Sequence, residues 1–295
     1  MNKNYKVVGI GELLWDCLPT GKQLGGAPCN FAYHAFQAGC EAHVVSAIGC
    51  DNLGEEILSL FETLHLNKTY VQQTADYPTG TVTVTVDENG IPHYVINENV
   101  AWDNVEWNSD LGLLAQSVDA VCFGSLAQRN VVSREAIQQF LTATKPDCLR
   151  VFDINLRQAF YKKEIIEKSL EYANVFKLND DELPVVAKMF GLQGSDEELL
   201  EHLISKFKLE MIALTKGNKG SLLLNNKNEK SFIEVPKVKV ADTVGAGDSF
   251  TAILIAGLLH DFDLKSVHQK ATEVAAFVCT QAGATPEIPM SILHF

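Results

Sequence analysis

V-A-D-T-V-G-A-G-D-S-F-T-A-I-L-I-A-G-L-L, residues 240–259, joins a run of small residues to a long apolar helical segment. Gly245, Ala246 and Gly247 let the backbone approach a ligand closely, and the first-turn N–H groups of the following helix have no intrahelical acceptor. With the helix dipole they form a cradle for an anion. Asp248 stands inside that cradle, where a carboxylate repels an anion. Alternatively, Asp248 is only a helix N-cap and the glycines are a tight turn. The stretch alone leaves both readings open.

Upstream of it, apolar strand-like runs at 5–11, 42–48, 120–123, 149–153, 175–178 and 211–215 are separated by helical patterns. The helical segments are 28–38, with Pro in its first turn and Gly39 past its end, then 52–64, 132–143, 163–171, 180–190 and 196–207. Two more helices, about 248–260 and 264–281, close the chain. Such alternation predicts α/β architecture: a mainly parallel sheet with right-handed crossovers and helices on both faces. One region departs from it. Residues 79–86 alternate with period two, 87–90 read as a turn, and 91–97 alternate again, the pattern of a β-hairpin. A lone hairpin is marginal in water, so a partner is expected. Residues 13–24, with Trp15 and a Pro19-Thr-Gly21 turn, are the best candidate. The expected organisation is a single domain over 1–295 with a small β flap formed by excursions at about 13–24 and 78–99. The alternative is a decorative edge hairpin.

Composition narrows the function classes. The chain of 295 residues carries 37 acidic and 24 basic side chains, a net charge of −13, which argues against a nucleic-acid partner. Seven cysteines without a C-x-x-C pair fit reduced thiols in a cytoplasm better than a disulfide framework or zinc site. There is no signal-peptide pattern and no apolar run of the ~18 residues a membrane span needs. Gly9-x-Gly11 begins like a dinucleotide fingerprint, but Leu14 stands where the third glycine belongs. That gap excludes a nicotinamide-dependent oxidoreductase. No P-loop sequence occurs, and the histidines show no metal-ligand spacing.

In open α/β sheets, ligands gather at the carboxyl ends of strands. The polar residues there are Glu12 and Asp16 with Gly25-Gly-Ala-Pro-Cys-Asn30, then Asn155 and Arg157, then Asn179 to Glu182, then Thr215 to Gly220. Asp180 and Asp181 read first as helix caps, and 216–220 also as a hairpin turn.

Asp242-Thr-Val-Gly-Ala-Gly-Asp-Ser-Phe250 closely resembles the C-terminal signature of the ribokinase (PfkB-type) carbohydrate kinases. Gly25-Gly-Ala-Pro-Cys-Asn30 resembles their N-terminal sugar signature. Asp153-x-Asn155-x-Arg157 and Asn179-x-x-Glu182 resemble two intermediate motifs, in the right order. The resemblance covers nearly the whole chain and implies a ribokinase-like three-layer α/β/α sandwich, with the flap as a β-strand lid over the sugar. It implies that Asp248 is the base for the sugar hydroxyl and that Gly245, Ala246 and Gly247 hold the transferring phosphoryl group. Asp16, Gly26, Asn30, Asn155 and Asp248 are then expected to bind sugar, and Arg157 to contact the sugar or the transferring phosphate. Asn179, Lys216, Gly217, Asn218, Gly220, Gly247, Gly283 and Ala284 are expected to bind nucleotide. The implied cofactor is Mg²⁺ with ATP, organised by Asn179 and Glu182 largely through water. A K⁺ ion beside the cradle, with Asp242 as a ligand, is a family trait, although Glu287 stands where some relatives carry a small hydroxyl residue.

Phe123-Gly-Ser-Leu-Ala-Gln-Arg129 and Gly11-Glu-Leu-Leu-Trp-Asp16 are similar to stretches of bacterial fructokinases, so D-fructose is the first-choice acceptor. Ribose, 2-keto-3-deoxygluconate and nucleosides are alternatives, as is a non-catalytic sugar- or nucleotide-sensing protein. Residues 78–99 contain no Lys or Arg to anchor a substrate phosphate, whereas His93 and Tyr94 could stack on and hydrogen-bond a neutral sugar. The flap's apolar face predicts a homodimer paired through the lids.

Overall fold

Consecutive apolar residues in strand β1 (Lys6–Ile10) bury on opposite faces, Val7 among one set of helices and Val8 among another. Both faces of its sheet are therefore covered, which explains why its strands read as continuous apolar runs. The structure, a computed structural model, describes residues 4–18, 21–86 and 92–293. After β1 come β2 (Leu14–Leu18), β3 (Gly21–Gly25), α1 (Ala27–Gln37), β4 (Glu41–Gly49), α2 (Asn52–Thr63) and β5 (Val71–Thr74). Next are β6 (Gly80–Val86), β7 (Pro92–Ile96), α3 (Ser109–Ala115), β8 (Ala120–Phe123), α4 (Val131–Ala143), β9 (Leu149–Asp153) and α5 (Lys163–Tyr172). The remainder is β10 (Val175–Asn179), α6 (Glu182–Phe190), α7 (Asp196–Phe207), β11 (Met211–Thr215), β12 (Ser221–Asn225) and β13 (Lys230–Ile233). Helices α8 (Ala246–Leu259), α9 (Leu264–Val278) and α10 (Met290–Leu293) follow.

The main sheet has nine strands among the described residues, ordered β13-β12-β11-β10-β9-β8-β1-β4-β5. All its pairs are parallel except β11 with β12 and β12 with β13. Helices α3 to α7 cover one face, where Phe123, Phe152 and Phe176 stack at 5.2 and 5.6 Å. Helices α1, α2, α8, α9 and α10 cover the other. Helix α8 is apolar almost all round because it packs between α1 and α9 as well as on the sheet. This is the three-layer α/β/α sandwich expected from the alternation.

A second sheet has the order β3-β2-β6-β7, so the 13–24 segment does pair with the 79–97 hairpin. The junction is the parallel β2–β6 pair, with Trp15 opposite Thr81, while β2–β3 and β6–β7 are antiparallel. The Trp15 indole N–H donates to Leu53 O at 3.0 Å and ties this sheet to α2. The expected turn at 87–90, the 19–20 part of the other turn, and the His93 and Tyr94 side chains lie outside the described residues.

Three sequence expectations need correction. Helix α8 starts at Ala246 and α9 stops at Val278, which moves Asp248 from the helix boundary into the first turn. Strand β5, helix α3 and the β12–β13 hairpin extend the alternation beyond what the pattern suggested. Asp181 holds the N-cap position of α6, but its side chain does not cap the helix end. The Asn179 side-chain oxygen does so, accepting from the Asp181 and Glu182 amides at 2.9 Å each. Residues 216–220 do form a turn, joining the antiparallel pair β11–β12. None of the described helices is long and apolar enough to cross a membrane.

The strand order reverses at β1, with β4 and β5 on one side and β8 onward on the other. A crevice forms at such a switch point, outside the carboxyl ends of the strands. The carboxyl ends of β1, β9, β10 and β11 carry the polar segments singled out in the sequence.

Candidate active site

Asp248 decides between the two readings of the opening stretch. The N-cap of α8 is Gly245, with φ +77°, and no side chain caps that end. Asp248 is the third residue of the helix, and its Oδ2 accepts a hydrogen bond of 2.8 Å from Asn30 Nδ2 on α1. The capping role is therefore wrong, and the carboxylate faces the glycine-rich segment 25–30. Burial and the nearby Asp153 carboxylate push its pKa up to about 6, while the Asn30 amide, Lys177 and Arg157 pull the other way.

Asn30 is 4% exposed, and its Oδ1 has no hydrogen-bond partner. A buried acceptor left unpaired costs stability, so this oxygen suits a ligand hydroxyl. Gly26 precedes α1 with φ +111°, and a side chain there would run into the Glu12 carbonyl, so the turn into the helix requires glycine. Asp16, on β2, is partly buried. Burial raises its pKa and the Arg157 charge lowers it. Arg157 is exposed at the end of β9 and follows Asn155, whose backbone is left-handed at φ +43°.

The 153–157 and 179–182 segments are braced together by Glu182. Its Oε1 accepts from the Leu156 amide at 2.9 Å and its Oε2 from the Asn179 amide at 2.8 Å. Asn179 in turn pairs with Thr215 across β10 and β11, which brings up the 216–220 turn. There Lys216 Nζ pairs with Asp196 at 2.7 Å and Lys219 Nζ with Asp180 at 3.1 Å. Gly217 and Gly220 have positive φ, and Asn218 lies in the short helical turn between them. On the far side, Asp242 accepts from the Val244 amide at 3.1 Å and the Gly283 amide at 3.2 Å. Ala284 packs on Gly245, and its carbonyl accepts from His34 Nε2 at 2.9 Å. Asp242 thus holds the 283–284 turn against the cradle. Glu287 is exposed.

Across nearly its whole length the sequence matches the family described as pfkB family carbohydrate kinase, over residues 10–290. The chain belongs to that family. The kinase is 26% identical to the ATP-dependent 6-phosphofructokinase of Thermoanaerobacterium thermosaccharolyticum, over 98% of this chain and 92% of that protein. It is 26% identical to the fructokinase of Solanum tuberosum, over 96% and 92% of the two chains. Its fold superposes on the crystal structure of a Xylella fastidiosa fructokinase with bound ATP at a TM-score of 0.85. That match has 18% identity and covers 98% of this chain and 96% of the other.

Two groups in the kinase's cleft were not assigned a role from the sequence. Lys177 sits in a central strand, buried, with its Nζ 3.1 Å from Asp153 Oδ1. Burial works against its charge, but Asp153, Glu182 and Asp248 outweigh that and hold its pKa above the usual value. A lysine inside the apolar run Val175-Phe-Lys-Leu178 was the available signal, because a charge in a central strand needs a partner.

The second group is Glu12, 3% exposed, with Oε2 unpartnered. Burial pushes its pKa up to about 7, and Asp248 adds to this, against its own amide, Arg157 and the Ala27 amide. Its folded pKa lies above the ordinary 4.5, so this group's stabilisation is full below about pH 4.5 and is lost as pH rises through about 7. Glu12→Gln removes that dependence. The variant's Tm relative to the parent is expected to be higher at pH 8 than at pH 5. An equal difference at both pH values would refute the assignment.

Proposed function

We propose that the kinase transfers the γ-phosphoryl group of ATP to a hydroxyl of a free sugar, with D-fructose the first-choice acceptor and fructose 6-phosphate the product. The observation that carries this reading is the Asn30–Asp248 hydrogen bond, which turns a carboxylate toward the sugar signature beside the first-turn amides of α8. In this arrangement Asp248 and the phosphoryl group do not compete for one place. The attacking hydroxyl lies between them, and its proton passes to Asp248 as the new P–O bond forms. A sugar hydroxyl is too weak an acid to be ionised beforehand by a carboxylate. Phosphoryl transfer goes through a loose transition state, so alignment and charge stabilisation by the amides of 245–247 and Arg157 are the protein's main contributions.

Asp16, Gly26, Asn30, Asn155 and Arg157 are proposed to contact the sugar. Asn179, Lys216, Gly217, Asn218, Gly220, Gly283 and Ala284 are proposed to line the nucleotide region. Mg²⁺ would arrive with ATP and neutralise phosphate charge. The residues fit it through water, since both Glu182 oxygens and Asn179 Oδ1 already accept backbone amides. The carboxylates of Asp153, Glu182 and Asp248 around the Lys177 ammonium leave an excess of negative charge that suits a cation nearby.

A coupled assay for ADP release, with ATP and Mg²⁺ and a panel of acceptors, tests the reading. Fructose, ribose, 2-keto-3-deoxygluconate, nucleosides and fructose 6-phosphate belong in the panel, and parallel runs with and without K⁺ test a role for Asp242 in a cation site. Sugar-dependent turnover supports a working enzyme, whereas ligand binding with no turnover favours a sensor. The pH profile follows from Asp248. Below about pH 6 its carboxylate is protonated and cannot accept the hydroxyl's proton, so kcat should fall on the acid side with a limb near that value. Asn30→Ala removes a hydrogen bond that favours the charged form, so that limb should move to higher pH. A limb that stays in place would separate Asp248 from the pH dependence. We also propose a homodimer paired through the β3-β2-β6-β7 sheet, for which light scattering at micromolar concentration should give twice the monomer mass.

A further inference from the structure

Lys177 lies in an unusual place for a purely structural ion pair. Its side chain is 8% exposed. A Cβ built on Gly247 would lie 2.9 Å from its Nζ and 3.8 Å from its Cε, with no other heavy atom outside the local chain within 4 Å. The ammonium therefore sits directly against the first turn of α8. That turn is the positive pole of the helix, and a cation beside it is electrostatically unfavourable. The carboxylates of Asp153, Glu182 and Asp248, the last in the same turn, outweigh that repulsion, and a phosphoryl group held by the turn adds a further anion for the ammonium to face. Asp153 holds the ammonium there. Its Oδ1 takes Lys177 Nζ, and its Oδ2 accepts from Thr251 Oγ1 at 3.0 Å. The Thr251 hydroxyl also lies 3.0 Å from the Gly247 carbonyl, so Asp153 and the first turn are fixed relative to each other.

We propose that the Lys177 ammonium, held by Asp153 against Gly247, is a fixed cation of the phosphoryl site that stabilises the transferring group's charge from behind the first turn of α8. It acts across the glycine and does not touch the substrate, so it is a positioning residue. Its reach also gives Gly247 a second reason to be glycine, since any side chain there would displace the ammonium. The proposal rests on the phosphotransferase reading above, and wild-type turnover with the sugar panel tests that reading separately.

The experiment compares Lys177→Met, Asp153→Asn and the double variant. Readouts are kcat, KM for sugar and ATP, Tm, and the affinity of the sugar-loaded enzyme for MgADP with and without aluminium fluoride, a mimic of the transferring phosphoryl group. Lys177→Met is expected to lower kcat by about 10²-fold, the scale for removing one fixed electrostatic element, with KM for the sugar nearly unchanged. Affinity for MgADP–aluminium fluoride should fall by a similar factor, and affinity for MgADP alone should not. The single variant also leaves Asp153 buried and unpaired, so its Tm should drop. The double variant removes both charges in near-isosteric form and should recover Tm while kcat and aluminium fluoride affinity stay low. Recovery of those two quantities in the double variant would reduce the pair to a structural salt bridge and overturn the proposal. Retention of both by Lys177→Met would overturn it as well.

Discussion

Asp248→Asn should lower kcat by at least ~10²-fold while leaving sugar affinity largely intact. The substitution keeps the shape of the side chain, and an amide oxygen can still accept from Asn30 Nδ2 as the carboxylate does at 2.8 Å. The ability to take a proton is lost. Stability should not suffer, because the carboxylate is destabilised in the folded state, with its pKa pushed up to about 6 by burial and by Asp153. An unchanged or raised Tm, with sugar binding preserved and turnover collapsed, is therefore the expected signature. Calorimetric titration of sugar and steady-state turnover on the same preparation separate the outcomes. Turnover near the parent value would remove Asp248 from the role of base. A parallel loss of sugar affinity and Tm would instead make it a structural residue of the α1–α8 contact.

Much of the architecture was legible because the physical signals were strong. The runs at 120–123, 149–153 and 211–215 coincide with β8, β9 and β11, since strands buried on both faces must be apolar throughout. Strand β5, with its polar Gln72 and Gln73, lies at the sheet edge and lacks that signal. The lid partnership was inferable because a lone two-stranded hairpin is unstable, yet its parallel β2–β6 junction was not, because parallel pairing leaves no turn in the sequence. The site was legible where backbone chemistry is special, as at Gly26 and Gly245. It was not legible where a role depends on a distant partner. That the Asn179 side chain caps a helix is visible only in the structure, and Lys177 is hidden in an apolar run and meets Asp153 only across the sheet. The orphaned oxygens of Glu12 and Asn30 likewise become visible only once burial is known.

Gly245→Ala should abolish most activity through the backbone alone, with every charged group of the site left in place. Gly245 has φ +77°, a left-handed conformation that costs a residue with a side chain about 1–2 kcal/mol. A Cβ there would lie 2.5 Å from the Ala284 carbonyl oxygen and 2.7 Å from its Cα, both backbone atoms. Neither can yield without moving the 283–284 turn, which is held by the Gly283–Asp242 and Ala284–His34 contacts. The strain must therefore be relieved by turning the Gly245–Gly247 amides away from the phosphoryl position. Loss of one such donor elsewhere costs about 10²–10³ in kcat, so a loss of at least ~10² is expected here. KM for the sugar should change little, because Asp16 and Asn30 lie on β2 and α1 rather than on this turn. Tm should fall modestly, which marks the substitution as strained. Full turnover in Gly245→Ala would show that these amides do not hold the transferring group, and would leave Arg157 and the metal–nucleotide complex to carry the charge.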